Sequence, residues 1–242
     1  AVNPETNRFC GQCGTALHAA MPVHTESRWG ELKQATVLFA DVVGSTEHIA
    51  GLDPEQTMAQ MRPAVLRMCA SVERFGGTVL RTMGDGVMAI FGVPKALEGH
   101  ARLACEAALH MQNAFAEDAY GLTIRVGLHS GAVASDPQDA EGAKGGGAHG
   151  MTIHIASRVV ALAEPGQVTV TATSRALIAD AYKVVGLGPR RLKGIADPVE
   201  VYVLYERPRG ALDMTYAPMV PTPFCGRHHE MARLLKALDE TV

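Results

Sequence analysis

The stretch TVLRTMGDGVMAIFG, residues 78–92, decides the fold. Thr78–Met83, apart from Arg81, and Val87–Gly92 are mostly β-branched or apolar, and Gly84-Asp85-Gly86 lies between them. Glycines flanking an aspartate supply the unusual backbone angles that close a tight hairpin. Upstream, Gly76-Gly77 ends a helix expected over 54–74. Pro54 suits its first turn, and Met58, Met61, Val65, Met68 and Val72 recur at helical spacing. Before it, ATVLFADVV (35–43) reads as a strand that stops at Gly44-Ser45. Downstream, a helix over about 98–118 places Leu103, Ala107, Met111 and Phe115 on one face. LTIRVGLHSGAVA (122–134) is a long strand, and the glycine-rich stretch 142–150 reads as a flexible loop. A further helix begins near Thr152 and closes at Pro165-Gly166, and QVTVTA, YKVVGLG and VEVYVLYE are later strands. The order is an α+β, ferredoxin-like βαββαβ core with additional C-terminal α and β elements. Its sheet is expected to be partly antiparallel, with helices packed on one face.

Composition narrows the class. Apolar residues at 47% and charged residues at 19% describe an ordinary soluble globular chain. A formal net charge of −3 argues against nucleic acid as a partner. No apolar run approaches the ~18 residues that span a bilayer, so no membrane partner is expected. The opening AVNPETNRFC has neither a basic start nor an apolar stretch, so a signal peptide is not expected. The cysteines, Cys10, Cys13, Cys69, Cys105 and Cys225, are odd in number and scattered, which suits a reduced, cytoplasmic setting. An N-terminal Ala and an uncapped, helix-like end (EMARLLKALDETV) predict a processed chain or an excerpt from a longer one.

Two carboxylates stand out. Asp41 ends the first strand in FADVVGST, and Asp85 sits at the hairpin tip. In a split βαβ plan those strands are neighbours, so the two side chains converge at one end of the sheet. Either aspartate alone is a simple turn former. As a pair they offer hard oxygen ligands for Mg²⁺ or Mn²⁺ held jointly with substrate phosphates. Val43-Gly44-Ser45-Thr46 adds a small turn whose backbone N–H groups suit phosphate oxygens.

FADVVGST, GGTVLRTMGDGVMAIFG, IRVGLHSGAV, GMTIHIASRVVALAEPGQVTV and RRLKGIADPVEVY together resemble a class III adenylate/guanylate cyclase catalytic domain of bacterial type. The resemblance covers about residues 33–206, with every block in order, and sets a domain over 31–206. It implies a head-to-tail dimer, homodimeric or with another cyclase domain, with active sites in the groove between subunits. It implies that Asp41 and Asp85 hold two Mg²⁺ or Mn²⁺ ions. The 3′-hydroxyl of ATP, with GTP as the alternative, would attack the α-phosphate and release pyrophosphate. Arg158 matches the transition-state arginine supplied by the partner, and Lys193 a lysine that reaches the terminal phosphates.

Three positions depart from that pattern. His154 replaces the transition-state asparagine, Arg81 the adenine-selecting lysine, and Gly147 its aspartate partner. Asp139, Glu141 or His149 are neighbours of the last position. A guanidinium is a rigid fork where a flexible ammonium stood. Gly147 has no side chain to accept an amino proton, so base selection should be relaxed. His154 donates a hydrogen bond as asparagine does, but it is bulkier and titratable. These departures predict low activity or relaxed base choice. The alternative is an inactive nucleotide-binding, dimerising regulatory module, and a scaffold role is the third reading.

The flanks add two expectations. Residues 1–30 form a partial zinc-ribbon-like or disordered segment, in which Cys10 and Cys13 bind Zn²⁺ only if the ribbon is complete. His18 and His24 are weaker substitute ligands. Residues 207–223 are a Pro-rich linker, and 224–242 resemble the start of a downstream STAND/AAA-type ATPase domain, with no P-loop motif in the chain. His129 is expected in the core or an interface, and the Met-rich helix in the core or on a dimer surface.

Overall fold

A computed structural model describes residues 31–116, 120–136, 147–178 and 181–205. Cys10 and Cys13, the linker 207–223 and the segment 224–242 lie outside the described residues, as do Asp139 and Glu141. The element order is β1 (Glu31–Val42), α1 (Ser45–His48), α2 (Pro54–Arg74), β2 (Thr78–Met83), β3 (Gly86–Phe91), α3 (His100–Phe115) and β4 (Ile124–Asp136). It continues with β5 (Gly147–His149), α4 (Met151–Val159), a 3₁₀ turn (Val160–Leu162), β6 (Val168–Thr171), α5 (Ala172–Ile178), β7 (Val184–Arg190) and β8 (Val199–Leu204).

The strands form one sheet in the order β2-β3-β1-β4-β6-β8-β7, with β5 added to β4. Its first four strands are the ferredoxin-like core expected from the sequence. β1 pairs antiparallel with β3 on one side and β4 on the other, and β4 pairs parallel with β6. β1 therefore lies centrally, and its near-continuous apolar run follows from burial on both faces.

Alternation along β1 separates two cores. Leu38, Ala40 and Val42 pack with Met61, Met68 and Val72 of α2 and Ala104, Ala108 and Met111 of α3. Ala35, Val37 and Phe39 point the other way and pack with Ala156 and Val160. The expectation of helices on one face is thus corrected: α4 covers the second face. Gly127 makes this close approach feasible, because a Cβ there would overlap the backbone of Val160.

α2 begins where its cap dictates. The Asp53 side chain accepts from the Gln56 N–H, and Gln56 reciprocates to the Asp53 N–H. Met61, Met68 and Val72 are buried, while Met58 is 62% exposed and lies outside the core. The flexible loop expected over 142–150 is also corrected at its end, where Gly147–His149 pairs with Ala134–Asp136 of β4.

Candidate active site

Backbone pairing brings Asp41 and Asp85 together. Asp41 is opposite Gly86 in the β1–β3 ladder, and the Val42 N–H donates to the Asp85 carbonyl at 3.0 Å. The Gly84-Asp85 turn therefore folds over the end of β1, and both aspartates are half-buried. Gly44, at φ 64°, turns the chain out of β1 into α1. That turn carries Ser45 back, and its hydroxyl donates to Oδ2 of Asp85. Thr46 beside it is exposed. Val43 donates its N–H to the Thr123 carbonyl at 2.8 Å, so one donor of the expected phosphate cradle is engaged within the fold.

The sequence reading missed Arg125. It stands directly opposite Asp41 in the β1–β4 ladder. Its Nε donates to Asp41 Oδ1 at 2.7 Å and its Nη2 to Oδ2 at 3.2 Å. Such a two-pronged contact fixes the carboxylate plane as well as its charge. The two aspartates are consequently unlike: Asp41 is matched by a cation, Asp85 by a neutral hydroxyl.

The other expected residues lie apart from this pair. Arg81 is exposed on β2, opposite Met88 and just past a bulge at Leu80. Gly147 is the first residue of β5, opposite Asp136. His154 and Arg158 sit one turn apart on the exposed side of α4, and Arg158 donates to the Ser157 hydroxyl at 3.2 Å. Lys193 is exposed in the turn between β7 and β8, beside buried Leu192. His129 is buried, with Nδ1 at 2.8 Å from the Thr171 hydroxyl, and burial lowers its pKa to about 4.

A cleft of about 600 Å³ opens beside Asp85, lined by Ser45, Thr46, Met58, Arg62, Leu66 and Asp85 among others. Polar atoms lie at its Ser45–Asp85 end and apolar side chains along α2. Among the described residues no cluster of three or more His, Cys, Asp or Glu side chains forms a self-sufficient metal cage. Two apposed carboxylates, one of them lining a cleft, fit a different kind of site, in which a divalent cation completes its shell with water and phosphate oxygens. Among the described residues no helix is long and apolar enough to cross a membrane.

A ferredoxin-like sheet with paired aspartates at the joint end of β1 and a hairpin defines a class of domain suited to phosphoryl chemistry. The chain belongs to the adenylate and guanylate cyclase catalytic domain family, whose model matches residues 29–206. It is 27% identical over 194 residues to human guanylate cyclase soluble subunit beta-2, covering 74% of this chain and 31% of that protein. It is 28% identical over 190 residues to adenylate cyclase 1 of Rhizobium meliloti, covering 74% and 28%. The chain thus spans less than a third of the length of these two relatives. Its fold matches the guanylate cyclase domain of RhGC from Catenaria anguillulae, solved with GTP (TM-score 0.67, 22% identity, 74% of this chain and 100% of that one). It also matches the adenylyl cyclase CyaB from P. aeruginosa (TM-score 0.66, 24% identity, 74% and 97%).

Proposed function

We propose that this chain is a nucleotide cyclase domain that converts ATP to 3′,5′-cyclic AMP and pyrophosphate, with relaxed discrimination against GTP. The apposition of Asp41 and Asp85, the latter lining the cleft, carries the reading. In the reaction the ribose 3′-oxygen bonds to the α-phosphorus. The bond from that phosphorus to the bridging oxygen breaks, pyrophosphate departs, and the hydroxyl proton passes to solvent. The chemistry is positioning and charge neutralisation throughout.

Asp41 and Asp85 would hold two Mg²⁺ or Mn²⁺ ions, which supply positive charge at the attacking and leaving oxygens. Ser45 orients the Asp85 carboxylate, and the Gly44-Ser45-Thr46 turn faces the phosphates. Arg158 and His154 of a partner subunit complete the site, and Lys193 reaches the terminal phosphates. Their exposure on α4 and beyond β7 supports action across an interface rather than within one chain. Exposed Met58, Leu66 and Met83 around the cleft support the same dimeric arrangement, as a homodimer or with another cyclase domain.

Exposed Arg81 and side-chain-free Gly147 support relaxed selection, and the relatives include one named for each nucleotide. The test is production of cyclic nucleotide from ATP and from GTP with Mn²⁺. Product above an Asp41→Ala control is expected, and none above it removes the enzymatic reading.

A second reading follows from His154, which stands where the family's transition-state asparagine would be. Here the domain binds nucleotide with metal and does not turn it over. Calorimetry with a non-hydrolysable ATP analogue then shows metal-dependent binding, while ATP itself yields no cyclic product. A domain that is only a scaffold binds neither.

A further inference from the structure

The two aspartates are held differently, and this difference has a consequence for cation binding. Both oxygens of Asp41 accept from the Arg125 guanidinium, at 2.7 and 3.2 Å. Among the described residues only one oxygen of Asp85 accepts from a protein side chain, the Ser45 hydroxyl. The Asp41–Arg125 pair is partly withdrawn from water, with side-chain exposures of 25% and 32%. Charges in such a setting interact more strongly than on an open surface.

We propose that Arg125 competes with the divalent cation for Asp41 and thereby sets the cation affinity of the aspartate pair. A cation shared by Asp41 and Asp85 needs at least one Asp41 oxygen, and each of these oxygens already accepts a hydrogen bond from Arg125. A lone pair remains on each oxygen, but a cation there shares the carboxylate with the guanidinium and must tolerate its positive charge nearby. Asp85 offers no comparable obstacle, because a hydroxyl partner carries no charge and can stay in place. In the nucleotide-free protein the first cation is then held chiefly by Asp85, and Asp41 joins when Arg125 swings aside. Arg125 acts through Asp41 as a positioning residue. The inference rests on the reading of Asp41 and Asp85 as a cation site.

The test is calorimetric titration of the full chain with Mn²⁺ alone, without nucleotide, comparing wild type with Arg125→Gln, Arg125→Lys and Asp85→Asn. Competition predicts that Arg125→Gln binds Mn²⁺ about tenfold more tightly, the scale of removing one charge beside a partly buried site. Arg125→Lys, which keeps the charge, should stay within about threefold of wild type. Equal or weaker binding by Arg125→Gln overturns the proposal, since a residue that merely supports the fold can only lose affinity on removal. Loss of binding in Asp85→Asn together with unchanged Arg125→Gln overturns the competition alone. Binding that Asp85→Asn leaves intact, or no binding by wild type, overturns the cation site and the competition with it.

Wild-type protein gives an independent measurement should Arg125→Gln fail to fold. The side-chain Nε–H resonance of Arg125, assigned by its absence in Arg125→Lys, is expected to shift during a Mg²⁺ titration. Its midpoint should match the calorimetric one. A resonance indifferent to Mg²⁺ at saturating cation overturns the proposal.

Discussion

Gly86 lies against the Ala40 carbonyl so closely that a methyl group on Gly86 would overlap its oxygen, and would stand 3.2 Å from Cα and Cβ of Asp41. The hairpin turn can fold over the end of β1 only because residue 86 has no side chain. Gly86→Ala must push backbone against backbone, which cannot yield as a flexible side chain does. The expected cost is about 1–3 kcal/mol of stability, read from urea unfolding. Cation binding should fall further than the lost stability accounts for, because the displaced turn carries Asp85. A variant of wild-type stability that binds Mn²⁺ normally would mean that the turn tolerates movement.

Ser45 ties α1 to the hairpin through Asp85. Ser45→Ala removes this donor and leaves the backbone turn at Gly44 in place. Global stability should change by only about 1 kcal/mol, the net worth of one hydrogen bond. Cation affinity should fall about tenfold or more, as for other groups that orient a ligating carboxylate. Thermal melting and Mn²⁺ calorimetry separate the two effects. Equal losses in both would make Ser45 a structural residue only.

The sequence disclosed this arrangement unevenly, for physical reasons. α2 was readable to its ends because the first-turn proline and the terminal glycines are local features, while the Asp53–Gln56 cap, equally local, went unread. The meeting of Asp41 and Asp85 was readable because the element order makes β1 a neighbour of the hairpin, and the Gly-Asp-Gly tip puts Asp85 at the hairpin's end. Arg125 was not, since an arginine in a strand gives no local sign of what lies across from it. Its isolation between Ile124 and Val126, both fully buried, is the clue that was available. The second face was missed for a similar reason. Gly127 and Gly131, which share one side of β4, are close-approach positions for α4, meeting Val160 and Thr152. Read as ordinary strand glycines, they said nothing about a helix. β5 was hidden because its residues, Gly-Ala-His, have weak strand preference and depend on the β4 edge.

His129 should make the fold acid-sensitive. Its side chain is buried against the Thr171 and Thr173 hydroxyls, and burial lowers its pKa from 6.5 to about 4. Above pH 6.5 the imidazole is neutral both folded and unfolded, and its contribution is complete. Between 6.5 and about 4 the unfolded chain takes up a proton that the folded one refuses, so stability falls as pH falls. The loss approaches the order of 3 kcal/mol below that window. His129→Gln cannot titrate. Its stability relative to wild type should therefore rise on going from pH 7 to pH 4, measured by urea unfolding at each pH. A constant difference would show that His129 is protonated equally in both states.

His154 offers the sharpest test of what limits turnover. It is exposed on α4, so His154→Asn should leave the melting temperature within about a degree of wild type. If His154 acts across the dimer groove, asparagine restores a smaller, neutral donor at the transition state. Loss of one positioned donor commonly costs about 10²–10³ in rate, so a gain approaching 10² in kcat is expected. KM for ATP should change little, because the contact forms only as the α-phosphorus is attacked. Rates with Mn²⁺ and each nucleotide, on wild type and variant side by side, give the answer. A rise in kcat for ATP and GTP alike would assign the defect to the transition-state donor and leave base choice to Arg81 and Gly147. An unchanged kcat would remove His154 from the rate-limiting chemistry and shift the cause to the base pocket.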